Sequence, residues 1–401
     1  MDVCRHFNAM EPLMPTTHGG RLAELTCEIL KESGRLGGLV HCPHVMKAVE
    51  DLVREMNCYY SNLIEGHKTT PRDIERALKQ DFFADKTQRD NQQLGLAHIA
   101  VDQLMVERVS DKAVDVYAPE FLCWIHREFY NRLPADLHTS KTKSGRAYQI
   151  IPGKLRDFMV DVGRHTPPHF SVLPGFLERF RQFHVSHTIL PTDRLVAIAA
   201  AHHRLAWIHP FGDGNGRVAR LHSHALLMRH GIPGHGLWTL SRGLARSRSR
   251  YYGALDAADQ RRKSDLDGRG NLSDSALGEF CVFFLETMLD QIRFMGSLLD
   301  LGGLRARVER YFQFETRHIK RHREALMRIV RTLIDEGEIP RARVQELTGR
   351  RATVCAEIIK LGLAEEYFTS PSPKGPLRIG FPAELHEYLF PQLFLELPVG
   401  S

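Results

Sequence analysis

The stretch His209-Pro210-Phe211-Gly212-Asp213-Gly214-Asn215-Gly216-Arg217-Val218-Ala219-Arg220 decides how this chain is read. It interrupts one helical pattern and opens another. A glycine-rich turn before a helix presents unpaired backbone N–H groups at the positive end of the helix dipole, which is an anion site. Gly212, Gly214 and Gly216 let the backbone curl and approach an anion closely. Arg217 and Arg220 lie three apart on one helix face, where each guanidinium can grip a pair of phosphate oxygens. Asp213 offers a hard carboxylate oxygen of the kind Mg²⁺ takes while it also touches substrate phosphates. Asn215 can donate to a phosphate oxygen, and His209 can accept a proton near neutrality. A base, a metal carboxylate, an anion cradle and two arginines together describe phosphoryl or nucleotidyl transfer, which needs positioning and charge stabilisation above all.

Two other readings compete with this one. Any one of these residues fits a plain glycine-rich connection with a structural histidine and solvated arginines; the whole ordered set does not. A metal hydrolase built on His202, His203, His209 and Asp213 lacks the HExxH spacing.

Outward from the loop, most of the chain shows helical periodicity. Residues 195–208 precede it, with Thr192 and Asp193 as candidate caps, and residues 217–230 follow it until Gly231 and Pro233. Residues 45–63 and 277–301 show the same spacing, the first stopped by Gly66 and the second followed by Gly302-Gly303 as a linker candidate. Residues 142–168 are rich in turn formers around the β-rich Phe158-Met159-Val160-Asp161-Val162, which suits a short hairpin. From residue 305 onward, helical stretches at 324–336, 341–347 and 352–361, a Pro/Ser turn cluster and the apolar run 377–381 suggest a winged helix-turn-helix.

Composition narrows the class. With 401 residues, 43% hydrophobic and 25% charged, the chain is neither disordered, collagen-like nor a coiled coil. No apolar run reaches the roughly 18–20 residues of a bilayer span, and MDVCRHFNAM lacks a signal peptide's apolar segment. Seven scattered cysteines without CxxC spacing point to a reduced, cytoplasmic protein with no membrane role. The net charge of +6 is mild and does not by itself declare a nucleic-acid partner.

HPFGDGNGRVAR resembles the signature of the Fic family, HPFx[DE]GNGRxxR, at every specified position. The resemblance covers residues 20–300 and implies a mainly α fold: a Fic-type helical core with a small β-hairpin flap, then the C-terminal winged-helix-like unit. The expected division is an N-terminal helical region over 1–110, a catalytic core over 111–300 and the winged-helix-like domain over 305–401. Fic proteins mostly move AMP from ATP to a protein hydroxyl, so the resemblance implies a protein adenylyltransferase using ATP and Mg²⁺ on a target protein. It implies that His209 deprotonates the target hydroxyl and Asp213 holds Mg²⁺. Gly212, Gly214, Asn215, Gly216, Arg217 and Arg220 would bind the ATP phosphates, and Tyr251 or Tyr252 would face adenine. Phe211 would anchor the loop.

Ser61-Asn62-Leu63-Ile64-Glu65-Gly66 resembles the family's inhibitory motif [ST]xxxE[GN], placed before the core as in one subclass. A glutamate at the end of a helix beside the anion loop can take Arg220 away from the γ-phosphate. In some relatives the same glutamate positions a water that removes AMP. Residues 151–163 resemble the target-docking flap, where Lys154 and Arg156 would meet target or nucleotide, or else serve as solvated strand-edge charges. Many relatives carry a glutamate two residues before the Ile-His-Pro-Phe stretch, whereas here Ala206 and Trp207 precede Ile208, and relatives are often homodimers. Ten basic residues (Arg317, Lys320, Arg321, Arg323, Arg328, Arg331, Arg341, Arg343, Arg350 and Arg351) raise DNA binding through residues 317–361. The helix at 352–361 offers few base-reading side chains, which favours protein contact. The alternative for the whole chain is a DNA-binding regulator with a sensing or vestigial Fic core.

Overall fold

The computed structural model describes residues 4–141, 145, 147–186, 189–316, 319 and 321–394. The first half is helical apart from one hairpin: α1 Gly19–Gly37, α2 Pro43–Ile64, α3 Pro71–Leu78, α4 Lys86–Ser110, α5 Pro119–Tyr130, β1 Thr139–Lys141, β2 Ala147–Gln149 and α6 Leu173–Val185. The central pair follows, α7 Arg194–Ile208 and α8 Asn215–Arg229, then α9 Leu240–Arg246, α10 Arg248–Ala258 and α11 Asp274–Leu298.

α7 sits at the centre because its sequence, RLVAIAAAHHRLAWI, is apolar or small nearly all round, and such a helix has no face to offer water. α11 and α8 pack against it, and α11 in turn carries α1, α9 and α10. α2 begins with Pro43, whose missing N–H costs nothing at a first turn, and contains no glycine before Gly66. It lies along α9 and α4, which brings its C-terminal end against α8.

The hairpin lies upstream of the expected place. Thr139 pairs with Gln149 and Lys141 with Ala147, whereas residues 151–161 form turns and irregular backbone and only the isolated bridge Val162–His165 follows. Pro152 and Gly153 break any strand there, Gly153 at φ +78 with its Cα against the Cys123 carbonyl. Gly302-Gly303 is not a linker either. It forms the first turn of α12 Leu301–Phe314, where Asp300 caps by accepting from Gly303 N at 2.9 Å.

The C-terminal part comprises α12, α13 Arg323–Glu336, β3 Glu338–Ile339, α14 Arg343–Thr348, α15 Ala352–Ala364, β4 Phe368–Thr369, β5 Leu377–Ile379 and α16 Ala383–Leu389. Its strands form one antiparallel sheet in the order β3-β5-β4. Arg317 and Lys320, two of the ten basic residues, fall outside the described residues. Among the described residues no helix is long and apolar enough to cross a membrane.

Candidate anion-binding and transfer site

The loop between α7 and α8 is held on all sides before any ligand arrives. His209 ends α7 in the left-handed region at φ 49°, a conformation costing an ordinary residue roughly 1 kcal/mol or more. The neighbouring chain fixes it: Arg156 Nε donates to His209 O at 2.8 Å and Arg156 N to Pro210 O at 2.9 Å. Phe211 is fully buried and stacks on His126 at 4.1 Å between centroids. Tyr148, on β2, donates its hydroxyl to Gly212 O at 2.6 Å.

His126 has a definite tautomer. Gly153 N donates to its Nδ1 at 2.9 Å, so the proton sits on Nε2, which faces Asp213 O at 3.3 Å. Burial pushes its pKa down to about 4, which keeps this ring neutral and in that role.

Asn215 does something other than expected. Its Oδ1 accepts from Phe211 N and its Nδ2 donates to Phe211 O, both at 2.9 Å, so the side chain closes the loop and is not offered to a phosphate. The cradle is left to the backbone. The first bond inside α8 runs from Val218 N to Gly214 O at 3.0 Å, so the amides of residues 215–217 precede it and face the turn. Gly214 caps the helix at φ 77°, with Tyr130 against its Cα.

α2 delivers an anion to this cradle. Arg220 donates to Glu65 Oε1 at 2.6 Å, to Ser61 Oγ at 2.9 Å and to Ser61 O at 3.1 Å. Arg217 Nε donates to Asn62 Oδ1 at 3.2 Å, and its guanidinium lies over the Phe129 ring. A Cβ placed on Gly216 would run into Glu65 Oε1, so the carboxylate reaches the first turn of α8 itself. Gly66, at φ 89°, then turns the chain away. Burial alone would raise the Glu65 carboxyl; Arg220 and Arg217 outweigh it and hold the group below the ordinary carboxylate range. Burial and then the Arg156 guanidinium push the His209 imidazole down to about 4, so it is neutral at neutral pH.

The remaining sequence candidates divide. Tyr252 lies at the rim beside Glu65 and donates to Ile64 O at 3.2 Å. Tyr251 is buried, its hydroxyl 2.7 Å from His202 Nε2, which is a core role and not an open aromatic face. Arg156 is buried, with donors spent on His209 O, Phe158 O and Pro168 O, so it braces the loop and does not dock a target. Lys154 is exposed and paired with Asp157 at 2.8 Å. Both border a groove of about 1000 Å³ that runs from Tyr148 past Phe158 and Met159 to His209 and Gly212.

Sequence reasoning missed His126, Tyr130 and Tyr148. Tyr148 stands two residues from Ile150, amid turn formers, with nothing local to show that its hydroxyl reaches Gly212.

Asp213 is partly exposed, and its Oδ1 accepts from Gly214 N at 2.7 Å. Among the described residues no group of three or more His, Cys, Asp or Glu could hold a metal. A lone carboxylate beside an anion cradle suits an ion such as Mg²⁺, which keeps several waters and shares its substrate's phosphates.

Fold and site thus define a mainly helical protein with an anion cradle at a helix start, filled from within by a glutamate. Residues 116–227 match the Fic/DOC family, a span that takes in the loop and stops short of α2. The chain is thus similar to Fic family proteins over the segment that carries the loop. It is 29% identical over 180 residues to a protein named protein adenylyltransferase Fic from Nematostella vectensis, covering 44% of this chain and 38% of that one. It is 40% identical over 89 residues to the protein of the same name from Drosophila erecta, covering 22% of this chain and 18% of that one. The chain therefore spans well under half the length of either relative. A Fic family protein from Desulfovibrio desulfuricans G20 superposes over 91% of this chain and 98% of its own with a TM-score of 0.55, at 18% identity, a likeness of fold.

Proposed function

We propose that this chain is a protein adenylyltransferase that moves AMP from ATP to a Ser, Thr or Tyr hydroxyl of a target protein and is restrained by Glu65. The observation that carries the reading is the Glu65 carboxylate lodged at the first turn of α8 on Arg220, because the cradle there already holds an anion. The relatives' printed name supplies the choice of AMP.

In the reaction, a target segment lies in the groove beside β2 with its hydroxyl at His209. The neutral imidazole takes the hydroxyl proton while the oxygen bonds to the α-phosphorus, and the bond from that phosphorus to the bridging oxygen breaks as pyrophosphate leaves. The amides of residues 215–217 meet charge developing on the α-phosphate, and Arg217 and Arg220 hold the β- and γ-phosphates. Asp213 would hold Mg²⁺, which when bound neutralises phosphate charge. With Glu65 in place Arg220 is occupied and a negative charge faces the incoming γ-phosphate, so the resting enzyme is slow.

The elements from α13 to β5 support reading residues 305–401 as a winged helix, with α15 in the recognition position.

Incubation with labelled ATP and Mg²⁺ tests the assignment. Glu65→Gly should raise AMP incorporation into protein, and His209→Ala in that background should abolish it, a loss of about 10²-fold or more. No incorporation by either form, with salt-sensitive binding to a DNA site, would favour the regulator instead.

A further inference from the structure

We propose that the C-terminal module holds the inhibitory helix on the cradle, so that drawing the module off α2 releases Glu65. This rests on the inhibitory reading of Glu65 given above.

α2 is gripped near both ends by residues from beyond α12. At its start, Cys42 Sγ donates to Glu336 O at 3.1 Å and His44 Nε2 lies 3.3 Å from Glu338 Oε2. Gly337, at φ 74°, brings α13 so close that a Cβ there would run into Cys42 Sγ. β5 packs on the same helix. Near its end, Tyr60 donates its buried hydroxyl to Leu393 O at 3.1 Å, and the Tyr59 ring meets Phe394 edge-on at 5.8 Å between centroids. Arg242, from α9, donates to Gln392 O at 2.8 Å and pins the same segment from the other side. Lys79, the C-cap of α3, pairs with Glu366 at 2.8 Å.

The second grip falls where it matters. Tyr60 directly precedes Ser61, which holds Arg220, and Glu65 follows within about a turn and a half of one continuous helix. Beyond Asn57 the last turns of α2 are short and stiff, so a shift at Tyr59 and Tyr60 is passed to Ser61 and to the C-cap Glu65. The carbonyls of residues 392 and 393 accept from a buried guanidinium and a buried hydroxyl, so losing them takes an acceptor from each. The middle of α2 has its own anchor: Asn57 donates to Asp102 at 3.2 Å and accepts from Thr239 and Ser241 at 2.6 and 2.7 Å. Release of the module therefore frees the end of α2 without unfolding it.

The 401-residue chain tests this with Leu393→Asp, which lies outside the matched Fic segment and the site. AMP incorporation from labelled ATP and hydrogen exchange across residues 56–66 are read together. Leu393→Asp should raise incorporation about five-fold or more, raise exchange over 56–66, and add nothing in the Glu65→Gly background. If Glu65→Gly activates while Leu393→Asp leaves incorporation and exchange at wild-type levels, the coupling is wrong and the inhibition stands. A further rise in the Glu65→Gly background also sinks it, since the effect would not pass through Glu65. If Glu65→Gly itself fails to activate, the inhibitory reading falls and takes this proposal with it. Phe394→Ala, at a half-buried position, gives the same readouts should Leu393→Asp not fold.

Discussion

Gly216 shows how much one missing methyl group decides. Alanine in a helix is ordinarily better than glycine by roughly 1 kcal/mol. Here the added Cβ would run into Glu65 Oε1 and come within 3.1 Å of Arg220 Nη1, so the sign should reverse. Gly216→Ala is expected to destabilise the wild type by about 1–3 kcal/mol, and to be neutral or stabilising beside Glu65→Gly. Urea midpoints of the four proteins check this; equal shifts in both backgrounds would mean that the carboxylate is not at that turn. His209 gives a second outcome at this scale. Its lowered pKa leaves the imidazole free to accept a proton down to about 4, with that capacity lost as pH falls through that value. The kcat/KM of the Glu65→Gly form should therefore stay level from about pH 8 to about pH 6. An ordinary histidine near ~6.5 would have lost roughly three-quarters of its basic form by then.

Among the elements, α2 and the α7–α8 loop were the parts most legible in the sequence, because each is local. Helical spacing over residues 45–63 and Gly66 as a stop describe α2 within two residues, and the glycines describe the turn. What could not be read is pairing over distance. Arg156 looked like a surface charge near strands; burial against His209 O and Pro168 O turns it into a brace. Asn215 looked like a phosphate donor, yet its amide matches the backbone groups of Phe211. The α2–α8 contact itself yields an expected outcome. Glu65 is held below its ordinary pKa, so its pairing stabilises the fold in full above that ordinary value and fades as pH falls through the depressed one. Glu65→Gln should cost about 2 kcal/mol near neutrality and progressively less toward acid pH, measured as the gap in unfolding free energy from wild type. Ser61→Ala removes only the acceptor of Arg220 Nε, so it should raise AMP incorporation, but by less than Glu65→Gly does.

For the whole molecule, the question left by the sequence is what the basic C-terminal part meets. Counting cations overstated its field, because position decides whether a charge is spent. Arg305 pairs with Asp335, Arg328 with Glu324, Arg331 with Glu309, Arg343 with Glu336 and Arg378 with Glu338. The outer face of α15 presents Ala352, Thr353, Ala356, Glu357 and Lys360, and Glu357 lies 3.8 Å from Arg321. Beside it runs a groove of about 810 Å³ in which Ala352, Ala356, Ile359 and Leu363 face Pro371 and Pro373, with Arg341, Gln345 and Lys360 also in its lining. The exposed face of α15 itself offers few side chains to read a base edge, and the apolar stretch of the groove suits a protein segment. Among the described residues, Arg341, Arg350, Arg351 and Lys360 lie around this helix without an acidic partner and could neutralise about four phosphates, which sets a slope of about −4 in log affinity against log salt. Fluorescence anisotropy with a random duplex should therefore show weak binding with a slope no steeper than that. Ala356→Arg should tighten it, since a further cation then enters the groove face. A slope near −6 or beyond would mean that many more cations reach the duplex than these pairings allow, and the C-terminal part would then be a DNA-binding module.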